Sequence, residues 1–174
     1  MSIDETPRGL PAHLRRRTRP DWGGQATREL FQGAALLVAL EDPDARMPLQ
    51  ERAGDAGMDL YVSRPARIQP GQFADIDCGI ALQLPAGHWA RITGRSSTLR
   101  RRGLLVNEAV IDNGYTGPIY TGVWNLGAQP VDVAVGERLA QLILHPIVRV
   151  PVVAATELVS RDGRGSAGFG SSGR

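Results

Sequence analysis

A chain of 174 residues, 42% apolar and 22% charged, has the size and composition of one globular domain with its own core. Its net charge of +2 gives no case for nucleic-acid binding, and its one cysteine, Cys78, excludes an internal disulfide. The longest apolar run, Ala34 to Leu40, is far short of a membrane span, and no apolar signal segment opens the chain, so a cytoplasmic protein is expected.

Residues 1–33 form an arm rich in Pro, Gly and Arg, expected to be flexible, with one helical turn at Ala26 to Phe31. Its run Arg15-Arg16-Arg17-Thr18-Arg19 reads as a solvated segment before it reads as a polyanion site. All 20 basic residues are arginine, whose planar fork suits phosphate, although a GC-rich genome gives the same bias. Residues 34–156 read as a β domain. Ala35 to Leu40 has strand length, and Ile80, Leu82 and Leu84 alternate as a half-buried strand does. Pro85-Ala86-Gly87 then supplies a turn and Trp89 to Thr93 a return strand. Further strands are predicted at Leu104 to Asn107, Ile119 to Asn125, Val131 to Val135, Leu139 to Leu144 and Val148 to Val153. One short helix is predicted at Ser97 to Arg102, capped by Ser96 or Ser97 and stopped at Gly103. Short strands at regular spacing with almost no helical period predict an all-β sandwich or barrel. Residues 157–174 end in a glycine- and serine-rich stretch with one aromatic, Phe169, expected to be mobile when empty.

Four segments carry candidate chemistry. Gly94-Arg95-Ser96-Ser97 joins an arginine and hydroxyls to free backbone N–H groups, a cradle for phosphate, although Ser-Ser before a helix is also an ordinary cap. Ala56-Gly57-Met58-Asp59-Leu60-Tyr61 sets one carboxylate in an apolar strand, where it needs an arginine or water-held magnesium as partner. Val110-Ile111-Asp112-Asn113-Gly114-Tyr115, continued by Thr116-Gly117-Pro118-Ile119, reads as strand, tight turn, strand. Asp112 there either accepts a proton from water or supports the turn as an Asx residue. Arg164 to Gly173 can wrap a polyphosphate with backbone and hydroxyls, and Phe169 offers a face to a base. The histidines at 13, 88 and 145 and Cys78 show no metal-ligand spacing.

Taken in order with Gly136-Glu137-Arg138-Leu139-Ala140-Gln141-Leu142, these segments resemble the five motifs of the trimeric dUTPases, from about Ala35 to the C-terminus. The resemblance implies a jelly-roll-like β fold and a homotrimer with shared active sites, the tail of one chain closing over a site formed by the other two. It implies hydrolysis of dUTP to dUMP and pyrophosphate with Mg2+, which keeps uracil out of DNA and supplies dUMP. Asp112 would activate the attacking water, with Ser96 near the α–β bridge, and Asp59 would hold magnesium through water. Arg95, Ser96, Gln141 and Arg164 would contact phosphates, and Ser97, Gly170 and Ser171 would be further substrate-binding residues. Tyr115 would lie against the deoxyribose, Phe169 would stack on uracil, and Asn107 is the candidate side chain for the base edge. No membrane or nucleic-acid partner is expected.

The chain departs from the family pattern at Ala109, Ser97 and Ala167, where glycine is usual, and its stretch from Asn107 to Asp112 is one residue short. The rival is the dCTP deaminase family, including bifunctional members, which carries a catalytic glutamate at the position of Gly122. Ile119 to Leu126 contains no carboxylate. A third possibility is a dUTPase with an added regulatory, protein-binding role for the arm.

Overall fold

The computed structural model describes residues 35–160. The first half runs β1 (Leu37–Leu40), β2 (Met58–Tyr61), β3 (Ala66–Ile68), β4 (Phe73–Gln83) and β5 (His88–Gly94). The second half runs α1 (Ser96–Arg102), β6 (Leu104–Val106), β7 (Ala109–Ile111), β8 (Pro118–Asn125), β9 (Val131–Val133) and β10 (Arg138–Pro146). Two four-stranded sheets, in the orders β1-β4-β8-β6 and β2-β10-β5-β7, are antiparallel throughout, and β3 pairs with β9 in a small ribbon. Among the described residues, the expected all-β sandwich with one short helix is the architecture observed.

Period-two alternation explains how the sheets share a core. In β8, Ile119, Thr121, Val123 and Asn125 are buried, while Tyr120 and Trp124 between them are exposed. Leu60, Ala90, Ile92, Ala140 and Leu142 of the other sheet join Ile76, Ile80 and Leu82 in one cluster. Truncating one of the fully buried leucines removes about 2–5 kcal/mol, counting the cavity left behind. Buried Asn125 is satisfied three times: it donates to Ile68 O and Gln129 O, both at 2.9 Å, and accepts from Gly127 N–H.

Several sequence expectations need correction. The alternation at Ile80 and Leu82 is the end of an eleven-residue strand whose first half is disguised by Asp75, Asp77 and Gly79. The turns at 85–87 and 112–117 do not close hairpins. β4 and β8 lie in the first sheet and β5 and β7 in the second, so both turns carry the chain across the sandwich. A local turn signal sets a reversal of direction, not which strand accepts the ladder.

Val148 to Val153 forms no strand. Beyond Ile147, whose N–H reaches Gly87 O at 2.8 Å, the ladder with β5 has ended and no described residue runs alongside. Val148, Val150, Val152 and Val153 are left 80, 70, 97 and 78% exposed.

α1 starts one residue early, at Ser96, with Arg95 in the cap position and no side-chain cap bond. It stops at Gly103, whose φ of 65° is the left-handed conformation glycine adopts freely and whose N–H reaches Leu99 O. No helix of the described residues is long and apolar enough to cross a membrane. The expectations for the arm 1–33 and for Arg164, Phe169, Gly170 and Ser171 lie outside the described residues.

Candidate active site

Register assembles the first group of site residues. Gln141 of β10 stands opposite Asp59 of β2 on one side and Thr93 of β5 on the other, and Arg95 follows the end of β5. Asp59 is buried and takes an arginine at each oxygen: Arg95 Nε forms an ion pair with Oδ1 at 2.7 Å, and Arg138 Nη1 donates to Oδ2 at 3.0 Å. Arg138 also donates to Glu51 at 2.9 Å, and Asp59, with Glu51 behind it, pushes its guanidinium further above its ordinary range. Of the two partners left open for Asp59 from the sequence, arginine is the one in place. Removing one member of such a pair leaves an uncompensated charge, which is strongly destabilising when buried.

The neighbours of this group are shaped to fit it. Arg95 gives Nη1 to Arg138 O at 3.4 Å, which leaves its Nη2 without a partner among the described residues. Gln141 donates to Gly94 O at 3.3 Å and lies against Gly57, where an added Cβ would come within 2.3 Å of its Oε1. Only glycine at 57 leaves room for that amide. Thr98 anchors α1 by donating to Leu139 O at 2.6 Å, and Ser96 sits exposed at the helix start, its hydroxyl without a partner among the described residues. Ser97 is half-buried beside it and, like Ser96, does not cap.

Asp112 lies elsewhere. β7 pairs with β5 through Ile111 and Ala90, so Asp112 passes the start of β5 while Arg95 follows its end. Six residues of strand separate those levels, about 20 Å. One chain therefore does not bring Asp112 to Asp59, Arg95, Ser96 and Gln141.

Asp112 is exposed, and no hydrogen bond or ion pair engages its carboxylate among the described residues. No Asx bond forms in this turn: Tyr115 N–H bonds to the backbone Asp112 O at 3.1 Å, and Asn113 Nδ2 donates to Pro85 O and His88 O, both at 2.9 Å. Tyr115 is half-exposed and its hydroxyl donates to Pro118 O at 3.0 Å.

Asn107 stands at the far end of β7 from Asp112, its N–H on Gly122 O at 2.8 Å. An added Cβ at Gly122 would fall 2.9 Å from the Phe73 ring and 3.4 Å from Asn107 Cβ. β8 thus has neither a carboxylate nor open space where a deaminase glutamate would stand.

Sequence reasoning missed Arg138, Glu51, Thr98 and Asn113. Arg138 lies within the Gly136–Leu142 motif without a task evident from its sequence, and Glu51 and Thr98 carry no local signal. Among the described residues no three His, Cys, Asp or Glu side chains gather into a metal site.

The family model described as dUTPase matches residues 43–173. A deoxyuridine 5'-triphosphate nucleotidohydrolase of Anaeromyxobacter is 37% identical over 139 residues, covering 79% of this chain and 94% of the relative. One of Thermobifida fusca is 40% identical over 147 residues, covering 83% and 82%. A variant of the Staphylococcus bacteriophage 80alpha dUTPase, solved with dUpNHpp, superposes with a TM-score of 0.76 at 26% identity, covering 80% of this chain and 99% of the other. With the motif residues standing where the fold sets them, the chain belongs to the dUTPase family.

Proposed function

We propose that this protein hydrolyses dUTP to dUMP and pyrophosphate, with Asp112 as the general base. The observation that carries the reading is the unengaged Asp112 carboxylate, on a loop whose turn is held by Asn113 and by backbone. A carboxylate free of structural duty at the surface of this family's third motif can take the proton of a water molecule as its oxygen attacks the α-phosphorus. The bond from the α-phosphorus to the bridging oxygen breaks, and pyrophosphate leaves with that oxygen.

Charge neutralisation falls to the other group. Arg95 would turn its Nη2 edge, Gln141 its amide and Ser96 and Ser97 their hydroxyls toward the phosphates, donors already oriented by Asp59, Gly57 and Thr98. Arg164, Gly170 and Ser171 would add donors from the tail and Phe169 a face for uracil. Tyr115 would exclude a 2′-hydroxyl, and Asn107 would meet the base edge.

Asp59 is one carboxylate with both oxygens engaged by arginines, a poor host for a bare cation. It fits magnesium that arrives on the triphosphate and keeps its water shell, because each oxygen retains a lone pair for a water ligand. Bound there, the ion would neutralise phosphate charge.

The separation of Asp112 from Arg95 along β5 supports a site completed between copies, in keeping with a homotrimer. The exposed valines of residues 148–153, together with Leu158 and Val159 at 93 and 86% exposure, supply apolar surface for such an assembly.

The test is a panel of dUTP, dCTP, dTTP and UTP with Mg2+, reading pyrophosphate and ammonia separately. Pyrophosphate from dUTP should exceed that from the others by roughly a hundredfold. Ammonia from dCTP would overturn the assignment.

A further inference from the structure

The loop after β7 has little to hold it in place. Two of its bonds, Tyr115 N–H to Asp112 O and Tyr115 Oη to Pro118 O, close the loop on itself or onto the start of β8. They set its shape without fixing its direction relative to the second sheet. Backbone pairing with β5 stops at Ile111 and Ala90. Where the ladder ends, a side chain continues it: Asn113 Nδ2 lies 2.9 Å from His88 O and 2.9 Å from Pro85 O. Both partners are carbonyl oxygens, so the amide nitrogen, not its oxygen, must face them, one hydrogen for each.

The acceptors belong to a stiff element. His88 N–H bonds to Pro85 O at 3.2 Å, His88 Nδ1 lies 2.9 Å from Ala86 O, and Ile147 N–H ties the same turn to the end of β10. Asn125 makes a similar double donation deep in the core, where it holds strands together. Asn113 does so at an exposed loop tip, where the group next to it is Asp112.

We infer that Asn113 is a positioning residue for the reaction, acting through Asp112: its two bonds to the 85–88 turn aim the carboxylate. This rests on Asp112 being the general base. Catalysis by a positioned group is sensitive to displacement on the ångström scale, with losses of about a hundredfold for 1 Å.

The test uses the full-length protein with dUTP and Mg2+. Asn113→Asp keeps the shape and removes both donors, and Asn113→Ala removes the contact without adding charge. Each is made alone and together with Asp112→Asn. Both single variants should lose roughly ten- to a hundredfold in kcat, with KM within about threefold of the parent and a melting temperature lowered by no more than a few degrees, far above the assay temperature. In the Asp112→Asn background neither should subtract further, because a residue that acts through Asp112 has nothing left to aim.

A parental kcat in both variants would overturn the positioning role. So would a loss confined to Asn113→Asp, a loss carried by KM or melting temperature, or one that multiplies with Asp112→Asn. A parental rate in Asp112→Asn alone would overturn this inference and the general-base assignment together. An inactive Asp112→Asn beside parental Asn113 variants would overturn only the inference.

Discussion

Replacing Gly57 by alanine probes how tightly β2 and β10 fit together beneath the candidate phosphate site. The new Cβ would sit 2.3 Å from Gln141 Oε1, 2.9 Å from its Cδ and 3.1 Å from its Cβ. The first of these is about 1 Å inside the usual C···O contact. The Gln141 amide can swing away, but its Cβ cannot, so the side chain must change rotamer and the strands must part by a few tenths of an ångström. Overpacking of this kind costs about 1–3 kcal/mol, or roughly 2–12 °C in melting temperature for a domain of this size. The swing also withdraws a donor aimed at a charged phosphate, worth about 1.5–3 kcal/mol, so kcat/KM for dUTP should fall by roughly 10- to 150-fold. Adding Gln141→Ala removes the two shortest contacts, so the double variant should recover most of the melting temperature and none of the activity. Thermal unfolding and steady-state kinetics on the three proteins decide it. A Gly57→Ala protein with parental melting temperature and kcat/KM would refute the contact and the role of Gln141 together.

Two further outcomes follow from the core and from the divided site. Burial pushes the Cys78 thiol from its ordinary value of 9.0 up to about 11, so above pH 9 the unfolded chain releases a proton that the folded chain retains. That contribution, on the order of 2–3 kcal/mol, is complete below pH 9 and lost as pH rises through about 11. Denaturant titrations at pH 8 and pH 11 should show a smaller alkaline loss in Cys78→Ala than in the parent, and equal losses would contradict it. For the site, Asp112→Asn and Arg95→Ala should each keep no more than about a hundredth of parental activity, Asp59 keeping Arg138 as a partner in the second. Refolded together in equal amounts, they should regain about a quarter of parental activity, the statistical share of sites with both residues intact when the two come from different copies. No recovery would place the whole site within one chain.

Much of the fold was legible in the residues because β8 obeys period-two alternation and Gly103 stops α1 as a glycine commonly does. Sheet membership was not. The turns at 85–87 and 112–117 look like hairpin turns locally, and their strands are claimed by partners remote in sequence.

The same distinction applies to the site. The residue types at 95–97 pointed to phosphate chemistry, Asp59 asked for an arginine or magnesium and Gln141 came from the family resemblance, but the arginine pairing of Asp59 depends on a register that sets β2, β10 and β5 side by side. At the 112–117 loop, two neighbouring polar residues could each have supported the turn. Which one does so is decided by carbonyls at Pro85 and His88, 25 and more residues earlier, that accept from Asn113 and leave Asp112 unengaged.

That unengaged carboxylate is tested most directly by the rate of pyrophosphate release from saturating dUTP and Mg2+ in Asp112→Asn beside the parent. Asparagine keeps the size of the side chain and cannot take a proton, and no structural bond is lost. The variant should fold and bind dUTP as the parent does while turning over about a hundredfold more slowly or worse. A parental rate would contradict the assignment of Asp112 as the general base.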